Sequence, residues 1–189
     1  MMMFWAGSLL MVLAAFLVFR VFVHRDYQTK GKLTWLSVGL EILIFALHAN
    51  MSYLFLPANW PAFPPLPNNR LHSGVSLGIM SLGIILTLGS MWNLRFRTSL
   101  GQGSKEMHQS GLYRWTRNPQ ILAYSLVVIG FAALFPSLES AGWILVYAVI
   151  AHLMVLTEEE YLKNHFGEVY QAYCDLVPRY FSFFQRDID

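Results

Sequence analysis

FWAGSLLMVLAAFLVFRVFV, running from Phe4 to Val23, carries a single charge, that of Arg20. Twenty such residues in helical form rise about 30 Å, which matches the hydrocarbon core of a bilayer. Four more apolar stretches follow: Leu33 to Leu56, Leu71 to Met91, Ile121 to Phe135 and Ala141 to Leu156. The first two have the same reach. The last two are shorter and are divided only by the Pro136 to Ser140 turn, so they read as a tight helical hairpin. In lipid every backbone polar group must be satisfied internally, which leaves helices or closed barrels. The pattern therefore predicts an all-α integral membrane protein with about five transmembrane helices plus a C-terminal amphipathic helix.

Composition agrees. Hydrophobic residues make up 56% of the chain and charged residues 13%, against about 45–50% and 25% in soluble proteins. The 189 residues read as a single membrane-embedded domain. An N-terminal three-helix part covers 1–95, and 96–189 holds a polar loop, the hairpin and the C-terminal helix. A net charge of +2 gives no basic face for nucleic acid. The lone Cys174 excludes an internal disulfide or a cysteine metal cluster, and the six histidines lack paired ligand spacing, so no metal is expected. Phe4 to Val23 has neither a basic leader nor a cleavage site and reads as a retained helix.

Basic residues mark the cytoplasmic ends of membrane helices. Arg20, Arg25, Lys30 and Lys32 flank the first loop, and Arg95, Arg97, Lys105, Arg114 and Arg117 fill the third, whereas Pro57 to Asn69 carries no charge. An outside N-terminus and a cytoplasmic C-terminus are expected, in a prokaryotic plasma membrane. Five prolines keep Pro57 to Pro67 out of helix. Gly74 and Gly78 form a small-xxx-small pair suited to close helix approach. Glu41 and His48 lie about two turns apart on one face. An interhelical hydrogen bond suits His48, and a place along a substrate path suits Glu41. Beyond the last apolar stretch, Leu162, Phe166, Val169, Tyr170 and Tyr173 recur at helical spacing, predicting an amphipathic helix over Glu158 to Cys174, with Gly167 as a close contact or local break. Pro178 ends it, and Tyr180, Phe181, Phe183 and Phe184 suit the bilayer interface.

Two polar segments carry the chemistry. Ser110-Gly111-Leu112-Tyr113-Arg114-Trp115-Thr116-Arg117-Asn118-Pro119 combines a glycine turn with a proline fit for the first turn of a helix. Arginine, asparagine and free amides there could hold an anionic or zwitterionic group. Anchoring among lipid headgroups accounts for Arg114 and Arg117 equally well. The run Glu158-Glu159-Glu160 opens the amphipathic stretch, where a helix dipole alone would explain it. An antiparallel hairpin nevertheless returns these carboxylates to the level of the arginines. A pocket for a ligand bearing both ammonium and carboxylate is the expected result.

Gly111-Leu112-Tyr113 with Arg117-Asn118-Pro119, then Glu158-Glu159, Leu162, Phe166-Gly167, Tyr170, Tyr173 and Val177-Pro178-Arg179, resembles the isoprenylcysteine carboxyl methyltransferase family, whose wider group includes the phospholipid methyltransferases. The likeness runs from about Gly101 to the C-terminus. It implies methyl transfer from S-adenosylmethionine to a lipophilic acceptor arriving from the bilayer. It further implies that Lys105, Met107, His108, Tyr113, Asn118 and Pro119 line the cofactor site, with Glu158 and Glu159 on its polar end. Arg117 and Glu159 would be the catalytic pair, Arg117 orienting the loop or a substrate carboxylate. The chain departs from the family where histidine is usual at Asn118 and tyrosine at Ile121, and where the carboxyl methyltransferases place an arginine at the position of Met154. A thiol or amine acceptor is thus as expected as a carboxylate. Membrane lipid or steroid reductases using NADPH resemble the same Gly-Leu-Tyr to Asn-Pro stretch, and a non-catalytic membrane scaffold would bind no cofactor.

Overall fold

The computed structural model describes residues 1–94 and 109–181, and within them finds helices and no strand. Helix α1 (Met2–Leu17) passes through a π-helical segment (Val18–Val23) into α2 (His24–Lys30) without a break, so the first apolar rod runs a turn and more beyond Val23. Gly31, at φ 62°, ends it. Helix α3 (Trp35–Met51) is capped by Thr34, which Asp26 holds in turn. That buried carboxylate accepts from the Thr34 backbone N–H (2.9 Å), the Ser37 hydroxyl (2.6 Å) and Lys30 (3.2 Å), leaving it fully paired. Helix α4 (Arg70–Leu94) follows the proline-rich loop, then α5 (Pro119–Leu134), α6 (Leu138–Phe166) and α7 (Glu168–Leu176).

Met2–Lys30, Trp35–Leu54, Arg70–Trp92 and Leu138–Phe166 are each long and apolar enough to cross a membrane, while Pro119–Leu134 is shorter. The protein is an integral membrane protein on these grounds. Pro119 takes the first turn of α5 as its sequence context predicts, and a reciprocal Ser137–Ser140 capping box starts α6.

Phe4, Ala15, Phe19 and Val23 from the first rod meet Ile150 and Ala151 of α6 in the main core, with α3 against both. His48 is fully buried there. Its Nε2 donates to the Trp143 carbonyl (3.0 Å), the Trp143 indole N–H donates to the His48 carbonyl (2.7 Å), and the rings stack at 4.6 Å. This is the interhelical bond expected of His48.

Helix α4 rests on α5, and here the sequence reading is corrected. Gly74 and Gly78 face open space rather than a partner helix. The close approach uses Gly83 and Gly130 instead. A Cβ on Gly83 would lie 2.8 Å from the Ala123 carbonyl, and one on Gly130 would lie 2.8 Å from the Ser76 carbonyl. Gly130→Leu should therefore cost about 1–3 kcal/mol through overpacking against backbone that cannot yield. Gly78→Leu should leave thermal stability in detergent unchanged.

The C-terminal reading is corrected too. No separate helix begins at Glu158. Helix α6 continues through the acidic run to Phe166, breaks at Gly167 (φ 54°), and α7 starts anew. The three glutamates thus sit deep in a helix, where no N-terminal dipole explains them. The break also rotates the apolar stripe. Leu162, Phe166, Tyr170 and Tyr173 cluster as expected, but Val169 is 58% exposed.

A candidate cofactor site around the acidic run

Three consecutive residues of an α-helix point about 100° apart, so each glutamate of the run meets different neighbours. Glu160 faces the first rod, where Arg20 reaches its Oε1 at 2.9 Å and His24 its Oε2 at 3.3 Å. The π-helical segment that presents Arg20 is a geometry frequent at functional sites. Glu159 faces the loop before α5 and the segment after α7. Its Oε2 accepts from Arg179 Nε (2.9 Å) and lies 2.7 Å from Nη2, and its Oε1 lies 3.3 Å from Arg117 Nη1. Glu158 turns inward within electrostatic reach of Glu41, Tyr27 and Tyr113. Among the described residues it has neither a cation nor a hydrogen-bond donor.

The loop is built to receive these groups. Gly111, at φ 62°, admits the chain into a 3-10 turn, Gly111–Arg114, that buries Tyr113. Burial, and then the Glu158 charge, push the Tyr113 phenol up, so it stays a neutral hydroxyl. Its carbonyl accepts from the Tyr173 hydroxyl at 2.7 Å, which ties the loop to α7. Three bonds then clasp the C-terminal segment. The Arg117 N–H donates to the Pro178 carbonyl (3.0 Å), and both the Thr116 hydroxyl (3.1 Å) and the Asn118 amide (3.0 Å) donate to that of Arg179. On the next residue the Tyr180 hydroxyl meets His152 Nδ1 at 2.9 Å. His152 and Glu159 are seven apart on α6, so consecutive residues 179 and 180 dock along one helix face.

The expected meeting of cations and carboxylates at the base of the hairpin is present. Arg117 and Glu159 side chains are 13% and 12% exposed, and Arg117 Nη1 also points at Cys174 Sγ. Two buried atoms of the pair, Arg117 Nε and Glu159 Oε1, have no hydrogen-bond partner among the described residues. Asn118 and Pro119 lie beside them, the first engaged with Arg179 and the second in the first turn of α5. Lys105, Met107 and His108 lie outside the described residues, as do Phe183 and Phe184. Among the described residues no cluster of histidine, cysteine and carboxylate groups is arranged to hold a metal.

Sequence reasoning gave Arg179 no role, although it is the closer of the two arginines to Glu159. Its signal was its place in the Val177-Pro178-Arg179 motif, just past the helix-stopping Pro178, which points to no partner. The hydrogen bond from Arg20 to Thr157 (3.4 Å) was equally silent, because the two residues are 137 apart in sequence and only helix packing brings them together.

Residues 71–169 match the family model described as phospholipid methyltransferase. No curated protein and no solved structure matches the chain. The matched span, more than half of the 189 residues, opens on α4 and takes in the Gly111–Arg114 turn, the Arg117 loop, the α5–α6 hairpin and the whole acidic run. By that match and this architecture the chain belongs to the phospholipid methyltransferase family.

Proposed function

We propose that the protein transfers a methyl group from S-adenosylmethionine to a lipophilic acceptor that reaches the site through the bilayer. The observation that carries this reading is the pair of buried atoms without a hydrogen-bond partner among the described residues, a donor at Arg117 Nε and an acceptor at Glu159 Oε1, which keeps a 3.3 Å ion pair to Arg117 Nη1, beside Glu158, which meets no cation among those residues. Unpaired buried polar groups are costly, and native structures keep few of them. A zwitterionic amino-acid group fits this donor set, its carboxylate on Arg117 and its ammonium on Glu158 and Glu159.

When bound, the cofactor supplies a methyl group already activated on a sulfonium. The residues then need chiefly to align reactants and exclude water. In this reading Tyr113, Asn118 and Pro119 wall the site, and Lys105, Met107 and His108 complete it from the preceding loop. Arg117 positions the loop through Glu159. With Arg179 on Glu159 and Arg117 shared between Glu159 and the cofactor's carboxylate, the surroundings suit an amine or thiol acceptor better than a carboxylate. Half-buried Met154 adds no cation. The site faces the cytoplasm in the orientation implied by Arg25, Lys30 and Lys32.

Calorimetry on detergent-purified protein tests the proposal. S-adenosylhomocysteine should bind with micromolar affinity and NADPH should not. Binding of NADPH alone would make the protein a reductase, and binding of neither would leave a non-catalytic membrane protein.

A further inference from the structure

A cavity of about 310 Å³ lies at the other end of the bundle, between the end of α3, the proline-rich loop, α4 and α5. That is the lower end of the range for small-molecule sites. Its mouth and its floor differ in chemistry. At the mouth stand Asn50, Tyr53 and Trp60. The Tyr53 hydroxyl makes no hydrogen bond with a described residue, and the Asn50 amide uses one, to the Ala46 carbonyl. Farther in, Met80, Val127, Val128 and Phe131 supply apolar groups. Among the described residues no charged side chain lines it.

Tyr124 closes the inner end, backed by Tyr147 (ring centroids 5.5 Å) and Phe45 (6.4 Å from both). The Tyr147 hydroxyl donates to the Ile121 carbonyl at 2.9 Å, fixing this aromatic floor across α5 and α6. Below the floor, Asn118 is six residues away along the helix axis, about 9 Å. The cavity is therefore walled off from the Arg117–Glu159 clasp and opens toward the proline-rich loop. Five prolines limit the conformations of that loop, and it presents Trp60 and Phe63, both exposed, over the opening.

We propose that this cavity is a second lipid site, holding one hydrocarbon chain of a neutral single-chain amphiphile with its polar end at Asn50, Tyr53 and Trp60. A chain entering tail first fills the apolar depth, and an uncharged hydroxylated head meets the free donors at the rim. A charged head would be held against walls that offer it no counter-ion. Because the polar end points away from the acidic run, the occupant is not the methyl acceptor, and the site stands whether or not the methyltransferase reading does.

Photo-crosslinking of the full chain in nanodiscs tests this, with monolauroylglycerol carrying a diazirine either at the chain terminus or beside the head. The terminal probe should label α5 near Tyr124 and Val127, and the head-proximal probe should label Tyr53. Ala49→Trp, which adds a ring to the lipid-side wall at an exposed position, should cut both by about tenfold while labelling of the lipid-facing side of α1 is unchanged. Phe131→Trp gives a second filling of the cavity from α5. Lauroyl lysophosphatidylglycerol should label at about a tenth of the glyceride level or less. Equal labelling by the anionic probe, a terminal label at Tyr53, or labelling indifferent to both tryptophan variants would overturn the proposal.

Discussion

Glu159→Ala is expected to lower stability by about 3–5 kcal/mol, the typical cost of removing one partner from a buried ion pair. The carboxylate is 12% exposed and holds two arginines. Its loss strands Arg117, whose side chain is 13% exposed and has no other carboxylate among the described residues. It also frees Arg179, and with it the end of the clasp made by residues 116–118. Thermal unfolding in detergent should show a fall of about 6–20 °C. Arg179→Ala should cost far less, because that side chain is 38% exposed and water can replace the interaction. An equal loss in the two variants would mean that Glu159 does not act through Arg117.

Glu158→Gln should do the reverse, sparing the fold and removing the ligand. This carboxylate holds no cation and no hydrogen bond among the described residues. Replacing it by an amide breaks no native contact among them, so the unfolding temperature should hold. A charged hydrogen bond to the ammonium of S-adenosylhomocysteine is worth about 1.5–3 kcal/mol, so its dissociation constant should rise about 10- to 150-fold. Titration calorimetry on the same preparation reads both quantities. Unchanged affinity in a folded variant would place the ammonium elsewhere.

The two adjacent glutamates thus have different expected phenotypes, Glu159→Ala losing stability and Glu158→Gln losing the ligand alone, and nothing in Glu158-Glu159-Glu160 distinguishes them. The sequence does indicate that the run meets the arginines before α5, since a hairpin must bring its two ends to one level. Which carboxylate takes which partner depends on the rotation of α6, which is set by the packing of Tyr147, Ile150 and Ala151 in the core with the first rod. The same dependence explains the glycines. Gly74 and Gly78 have the spacing of a packing motif but face away from α5, while Gly83 and Gly130, neither of which belongs to a Gly-xxx-Gly pair, make the contact.

What the sequence determined by itself was the class of molecule and the position of its parts. Apolar length, proline and glycine punctuation and the placement of charge act locally, so the spans, the uncharged proline-rich loop, the Gly111 turn, Pro119 at the start of α5 and the break at Gly167 could all be read in order along the chain. Tertiary structure alone decided the division of labour within the acidic run, the pairing of Arg179 with Glu159, the contact of Arg20 with Glu160 and the cavity beneath Trp60 and Phe63. Each of these joins residues remote in sequence, and the direction a helical side chain faces is fixed by the helices packed around it.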